Sequence, residues 1–180
     1  MGGSAGSLQA ILKILEYIKP GYPIPILLVI HRNPAFPSPL EELLLSRTKF
    51  IAKEIEEKEK IEPGHIYICP ADYHVLIEKD RSFSLDDSEK VNFSRPSIDV
   101  ALKSASDIFK ENLLSILLSG ANADGAEGLL YANKNGGIAI IQNPEEALVP
   151  FMPQEALKGL KADHVLDTNQ ITGFLNSLVV

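Results

Sequence analysis

The sequence predicts an α/β domain: a doubly wound, mostly parallel sheet with helices on both faces and a β-hairpin insertion. Three observations carry this. "IPILLVI" (Ile24–Ile30) is a short, continuously apolar, β-branched run, the pattern of a strand buried on both faces, and "LLSILLS" (Leu113–Ser119) and "GIAIIQ" (Gly137–Gln142) read as a buried strand and a further strand. Segments with the 3.6-residue helical period separate them, and strand–helix alternation requires parallel strands joined by right-handed crossovers. Between Phe50 and Asp87 the rhythm changes to short alternating segments punctuated by Pro63-Gly64, Pro70 and Asp86-Asp87.

Taken in order, "SLQAILKILEYIKP" places Leu8, Ile11, Leu12, Leu15 and Ile18 on one face, and Pro20-Gly21 stops the helix. The strand at Ile24–Ile30 is followed by a helix in "SPLEELLLSR", with Ser38 as N-cap and Pro39 at the first helical position. Strands are expected at Phe50–Glu54, His65–Cys69, Tyr73–Glu78 and Ser82–Leu85, the last three partly as hairpins. The βα rhythm resumes with a helix at Ser97–Phe109, the strand at Leu113–Ser119 and a helix from Gly125 to Asn133. A strand in "GIAIIQ", a helix after Pro153, a strand in "HVLD" and a terminal helix complete the chain. No repeat or linker divides it, so residues 1–180 read as one domain.

Composition narrows the function. The 45% hydrophobic and 23% charged fractions are those of an ordinary globular protein with a core. No apolar run approaches the roughly 18 residues that span a bilayer, and the N-terminus lacks a secretory signal, so no membrane insertion and a cytoplasmic location are expected. Cys69 is the single cysteine, which excludes an internal disulfide and a thiolate metal cluster. It reads as a core residue. His65, His74 and His164 have no metal-ligand spacing, and the Glu/Lys stretch from Lys53 to Lys60 reads as a solvated face. The net charge of -7, with both signs interleaved, argues against a nucleic-acid partner.

Sites in open α/β sheets form outside the carboxyl ends of the strands. Ser4, in "MGGSAGS", lies just before the first helix; His31 directly follows "PILLVI"; Asp124, in "SGANADG", directly follows "LLSILL". A hydroxyl, an imidazole and a carboxylate at one sheet edge are the parts of a Ser-His-Asp triad. Gly2, Gly3 and Gly6 suit a tight nucleophile elbow, and N–H groups beginning with Ala5 could receive an oxyanion. Each piece has a plainer reading. A Gly/Ser-rich stretch is also a linker or a phosphate cradle, a histidine after a strand is often structural, and Asp124 is an obvious N-cap for the following helix. A nucleotide site ranks lowest, because the loop lacks the G-K-[ST] ending.

Several motifs in register add a resemblance. "GGSAGS", "LLVIHRNP", "IEPGHIYICPADYH", "SRPSIDVAL", "LLSGANADGAEGL" and "FMPQEAL" resemble, in the same order, the motifs of the catalytic domain of the chemotaxis protein-glutamate methylesterases, the CheB family. The resemblance implies a serine hydrolase that cleaves γ-glutamyl methyl esters on the cytoplasmic helical bundle of a methyl-accepting chemoreceptor or another methylated protein, and in some members deamidates glutamine. It assigns Ser4 as nucleophile, His31 as base and Asp124 as its orienting carboxylate, with no cofactor or metal. Ala5, Ala121, Asn122 and Met152 fall in the oxyanion and substrate pocket. The alternative is a CheB-like domain that is weak or silent in catalysis and acts as a protein-binding module.

Five departures from the family pattern stand out. No receiver domain precedes the elbow. Ser7 stands where a second elbow glycine is usual, Ala121-Asn122 replace Met-Gly, and Phe151 replaces a glycine, which would reshape the ester pocket. Only Met1 precedes the elbow where the family has a buried strand, so either the chain is truncated or the domain is one strand short and holds Ser4 less firmly.

Overall fold

In the computed structural model, residues 1–33, 35 and 39–179 are described. The strands are β1 (Gly2–Gly3), β2 (Ile26–Ile30), β3 (Ile51–Glu54), β4 (His65–Ile68), β5 (His74–Ile77), β6 (Phe83–Asp86), β7 (Leu114–Leu117), β8 (Ile138–Gln142) and β9 (His164–Leu166). The helices are α1 (Ser7–Glu16), α2 (Leu40–Arg47), α3 (Ile98–Phe109), α4 (Ala126–Lys134), α5 (Phe151–Gly159) and α6 (Thr168–Ser177). Seven strands form one sheet in the order β3-β4-β2-β1-β7-β8-β9, with every pair parallel, and β5-β6 form a separate antiparallel hairpin.

The continuous apolar runs are explained by two cores. On one face Ile26, Leu28, Ile30, Ile116 and Ile140 pack against Ile11, Ile14 and Leu15 of α1, Leu40 and Leu44 of α2, and Ile171 and Leu175 of α6. On the other, Val29, Leu117, Ala139 and Ile141 meet α3, α4 and α5. Alternate residues of one strand thus enter opposite cores, and both must be apolar. Helices of about ten residues are marginal alone, so burial holds them. Ile11, Ile14 and Leu15 are completely buried, and each such side chain contributes roughly 1.5–3 kcal/mol.

The boundaries differ from expectation where side-chain chemistry decides them. β3 and β4 join the main sheet in parallel, so the insertion reduces to the β5-β6 hairpin; pairing between distant strands leaves no local signature. Pro39 occupies the N-cap position of α2 rather than its first helical position, and Ser38 lies outside the described residues. α5 begins at Phe151, with Pro153 inside its first turn, where no N–H is needed. Asp124 does not cap α4; Gly125 holds that position at φ +92°.

The first strand is only two residues long and is made of the elbow glycines Gly2 and Gly3 themselves. Gly2 pairs with Val29 of β2 and Leu117 of β7, Val29 N–H donates to Met1 O (3.0 Å), and Leu118 N–H to Gly2 O (2.9 Å). The Met1 ammonium is buried, donates to Leu27 O at 2.7 Å, and is pushed down to about 6, chiefly by burial. Beside it lies an apolar cavity of about 430 Å³ lined by Met1, Leu27, Ile98, Leu102, Phe109 and Tyr22, among others. The Tyr22 hydroxyl is buried without a partner among the described residues and is pushed up to about 12 by that burial.

Candidate active site

The chain runs from β1 to β2 on one side and returns to β7 on the other, so the sheet order reverses at β1. The turns after β1, β2 and β7 carry Ser4, His31 and Asp124 to one edge.

The elbow is closed to side chains. A Cβ on Gly3 would lie 2.3 Å from Ser7 Cβ, one on Gly2 2.4 Å from Ile98 Cγ2, and one on Gly6 2.8 Å from Leu148 Cβ. Gly6 also takes φ +79°, the left-handed region that glycine enters freely. Ser4 N–H donates to Ser119 O (2.9 Å), and Ser7 Oγ and Ser7 N–H both donate to Ser4 O (2.7 and 3.0 Å). Ser119 Oγ donates to Ala5 O (2.8 Å) while accepting from Val149 N–H (2.9 Å). Ser7 therefore braces the elbow. The Ser4 hydroxyl and the Ala5 and Gly6 N–H groups have no hydrogen-bond partner among the described residues.

His31 N–H donates to Gly3 O (3.2 Å), tying the base loop to the elbow strand. Its Nε2 lies 2.8 Å from Asp124 Oδ2. A carboxylate only accepts, so Nε2 carries the proton and Nδ1 is the basic nitrogen. Ser94 Oγ stands 3.3 Å from Nδ1 and accepts from Asn122 Nδ2 at 3.1 Å.

Asp124 is fully buried, and its partners explain how it remains ionised. Besides His31, its carboxylate accepts from Ile98 N–H (2.6 Å), Ser97 Oγ (2.7 Å) and Asp99 N–H (3.1 Å). It thus sits on the N-terminus of α3, where free N–H groups and the helix dipole favour an anion. Burial alone would raise its pKa, but these four hydrogen bonds outweigh it and the net shift is downward. Asp99 shows the opposite balance. Burial raises it to about 6, helped by the nearby Asp124 charge and opposed by a 2.6 Å bond from Gly128 N–H.

Several supporting residues escaped the sequence reading. His74 is buried; its Nδ1 accepts from Ser97 N–H (3.1 Å) and its Nε2 donates to Glu89 O (3.0 Å). Ser94, Ser97, Asp99 and Ser119 are serines and an acid of ordinary sequence context, identifiable only through their spatial partners. The "SRPSID" motif was visible, but its role of presenting donors to Asp124 was not. Of the expected pocket residues, Ala5 and Ala121 are exposed at the site, and Asn122 is held by Ser94 and by Asp124 N–H (3.2 Å). Met152 is the exception. It is completely buried beneath Gly120, where a Cβ would meet its Cε at 2.4 Å, so it supports the loop rather than lining the pocket. Phe151, by contrast, is exposed. Cys69 lies in the core, its thiol pushed up to about 12 by burial. No helix among the described residues is long and apolar enough to cross a membrane.

A sequence model described as CheB methylesterase matches residues 1–175. A Leptospira interrogans protein, provisionally named protein-glutamate methylesterase/protein-glutamine glutaminase, is 40% identical over 95% of this chain and 89% of its own length. A Thermotoga maritima protein of the same named activities is 32% identical over 99% of the chain, which spans about half (53%) of that relative. The crystal structure of the Thermotoga maritima CheB methylesterase catalytic domain superposes with a TM-score of 0.94, at 32% identity, covering 99% of this chain and 96% of that one.

Proposed function

Because the chain belongs to the CheB methylesterase family, we propose that it hydrolyses γ-glutamyl methyl esters on a methylated protein such as a chemoreceptor, through Ser4, His31 and Asp124. Ser4 Oγ attacks the ester carbonyl while His31 Nδ1 takes its proton. The tetrahedral oxyanion is received by the Ala5 and Gly6 N–H groups. Collapse expels methanol, protonated by His31, and leaves a glutamyl–Ser4 ester; water, deprotonated by His31, then releases glutamate and Ser4. Asp124 stays ionised throughout, holding the tautomer and stabilising the imidazolium. The same steps with ammonia as leaving group deamidate glutamine.

The observation that best supports this reading is the 2.8 Å His31 Nε2–Asp124 Oδ2 bond, which leaves a basic nitrogen at the edge where Ser4 lies. The test is methanol release from a carboxyl-methylated chemoreceptor fragment. Wild type releases methanol, and Ser4→Ala and His31→Ala do not, although both bind the fragment. Binding by the wild type without turnover would overturn esterase activity in favour of a binding module.

A further inference from the structure

Phe93 occupies a position that folding alone gives an aromatic no reason to hold. Val91 N–H donates to Ser94 O (3.2 Å) and Ser94 N–H to Val91 O (2.9 Å), closing a two-residue hairpin turn. Its central residues, Asn92 and Phe93, have φ of 50° and 61°. This is the mirror-image turn in which Asn-Gly is favoured and a bulky second residue is strained. The turn is fixed on both sides of the ring. Asn92 Nδ2 donates to Asp99 Oδ2 at 2.8 Å, and Ser94 touches His31. Yet the Phe93 ring is 98% exposed.

A second apolar side chain stands at the other half of the site. Leu148 packs over Gly6, two residues from Ser4, and is 67% exposed. Phe93 and Leu148 are the two most exposed large apolar side chains among the described residues. Phe93 lines the cleft that His31 borders, and Leu148 packs on the elbow. Beside His31 a cleft of about 410 Å³ is lined by Arg32, Lys90 and Arg95 against the single carboxylate of Asp72. Arg32 pairs with Glu54 and Arg95 with Asp72, whereas Lys90 has no ion-pair partner among the described residues. Lys90 is thus the uncompensated positive charge on this rim among the described residues, and on a chain of net charge -7 it favours an acidic occupant.

Resting on the esterase reading, we propose that Phe93 and Leu148 dock an acidic segment of the protein substrate, whose apolar side chains flank the esterified glutamate and whose carboxylates face Lys90. Phe93 is then a specificity residue kept at the expense of turn stability.

The test uses a carboxyl-methylated chemoreceptor cytoplasmic fragment and p-nitrophenyl acetate as a small ester. Phe93→Gly relieves the strained turn and raises Tm. It also lowers the ratio of kcat/KM on the fragment to kcat/KM on the small ester by about tenfold, mainly through KM, as loss of an aromatic anchor does. Leu148→Ala lowers the ratio similarly, Phe93→Tyr largely restores it, and Tyr17→Ala, an exposed ring distant in sequence from the site, does not change it. In the Ser4→Ala background, fragment binding weakens tenfold with Phe93→Gly. Phe93-dependent binding without wild-type turnover would sink the esterase reading and leave the docking surface standing. An unchanged ratio and unchanged binding in Phe93→Gly would overturn the docking surface alone.

Discussion

His31 and Asp124, 93 positions apart, meet through Nε2 and Oδ2 at 2.8 Å, so Nε2 carries the proton and Nδ1 is the unprotonated ring nitrogen. The same carboxylate is fixed by three donors from the start of α3. Asp124→Asn places an NH₂ group against one of these donors and removes the charge that holds the Nε2–H tautomer. It should lower kcat by roughly 10³–10⁴-fold, by analogy with the loss measured for a serine protease triad aspartate, and destabilise the fold by about 1–3 kcal/mol through an unsatisfied buried donor. Ester turnover and urea denaturation measure the two separately. A variant with wild-type kcat would show that His31 needs no orienting carboxylate.

Two serines compete for the role of nucleophile. Ser94 Oγ is the one near Nδ1 (3.3 Å), but it is buried and already accepts from Asn122. Ser4 is partly exposed, its hydroxyl has no partner among the described residues, and the Ala5 and Gly6 N–H groups are beside it. A fluorophosphonate should label the peptide containing Ser4, and Ser94→Ala should retain activity within about tenfold, the scale of one lost neutral hydrogen bond. Mass spectrometry of the labelled peptide decides; labelling at Ser94 would reverse the assignment.

Cys69 should resist chemistry. Its thiol is fully buried and pushed up to about 12, so the thiolate that alkylating reagents need is scarce at neutral pH. Iodoacetamide should leave the native protein unmodified and alkylate it in urea. Rapid native labelling would mean that the core around β4 opens.

The parts of this protein readable in its sequence are those with a local period. β2, β7 and β8 are short, mostly apolar runs of strand length, and α3 carries a long amphipathic stripe, so their placement was right to within two residues, whereas α1 ends at Glu16, ahead of the Pro20 that marked its stop. β1 has two glycines, too short for any period, and only its neighbours make it a strand. Asp124 shows the same limit at the site. Its position after β7 was legible, but its sequence context suggested a cap for α4, whereas the carboxylate crosses to the start of α3. His74 and Asp99 are polar residues in a core. Nothing distinguishes them from surface residues until Ser97 N–H and Gly128 N–H are found against them.

Gly128 sets the distance between α3 and α4. A Cβ there would lie 2.8 Å from Asp99 Cα and 3.0 Å from Asp99 O, atoms of the backbone that cannot rotate away. Gly128→Ala gains up to about 1 kcal/mol in helix propensity, but forcing the helices apart costs about 1–3 kcal/mol. The balance should be a net loss, with reduced kcat, because the shift moves the donors that orient Asp124. Urea unfolding and ester turnover on the same preparation check both. A stabilised, fully active variant would show that α3 moves without disturbing His31.

The buried Met1 ammonium makes stability depend on pH in a defined direction. With Met1 retained, the amine has a pKa of about 6 when folded against its ordinary value of 8.0. At and above pH 8 it is neutral in both states and imposes no penalty. As pH falls from 8 towards 6 the unfolded chain takes the proton first, so stability is lost across this window; below 6 both states are charged and the penalty is constant. The full difference is about 2–3 kcal/mol, at 1.36 kcal/mol per pKa unit. Other groups titrate here too, so the measurement is a comparison: urea unfolding at pH 5.5 and 8.5 of the free and Nα-acetylated proteins. The free protein should lose more stability on acidification, by that amount. Parallel profiles would mean that the ammonium reaches water and that the β1 end of the sheet is open.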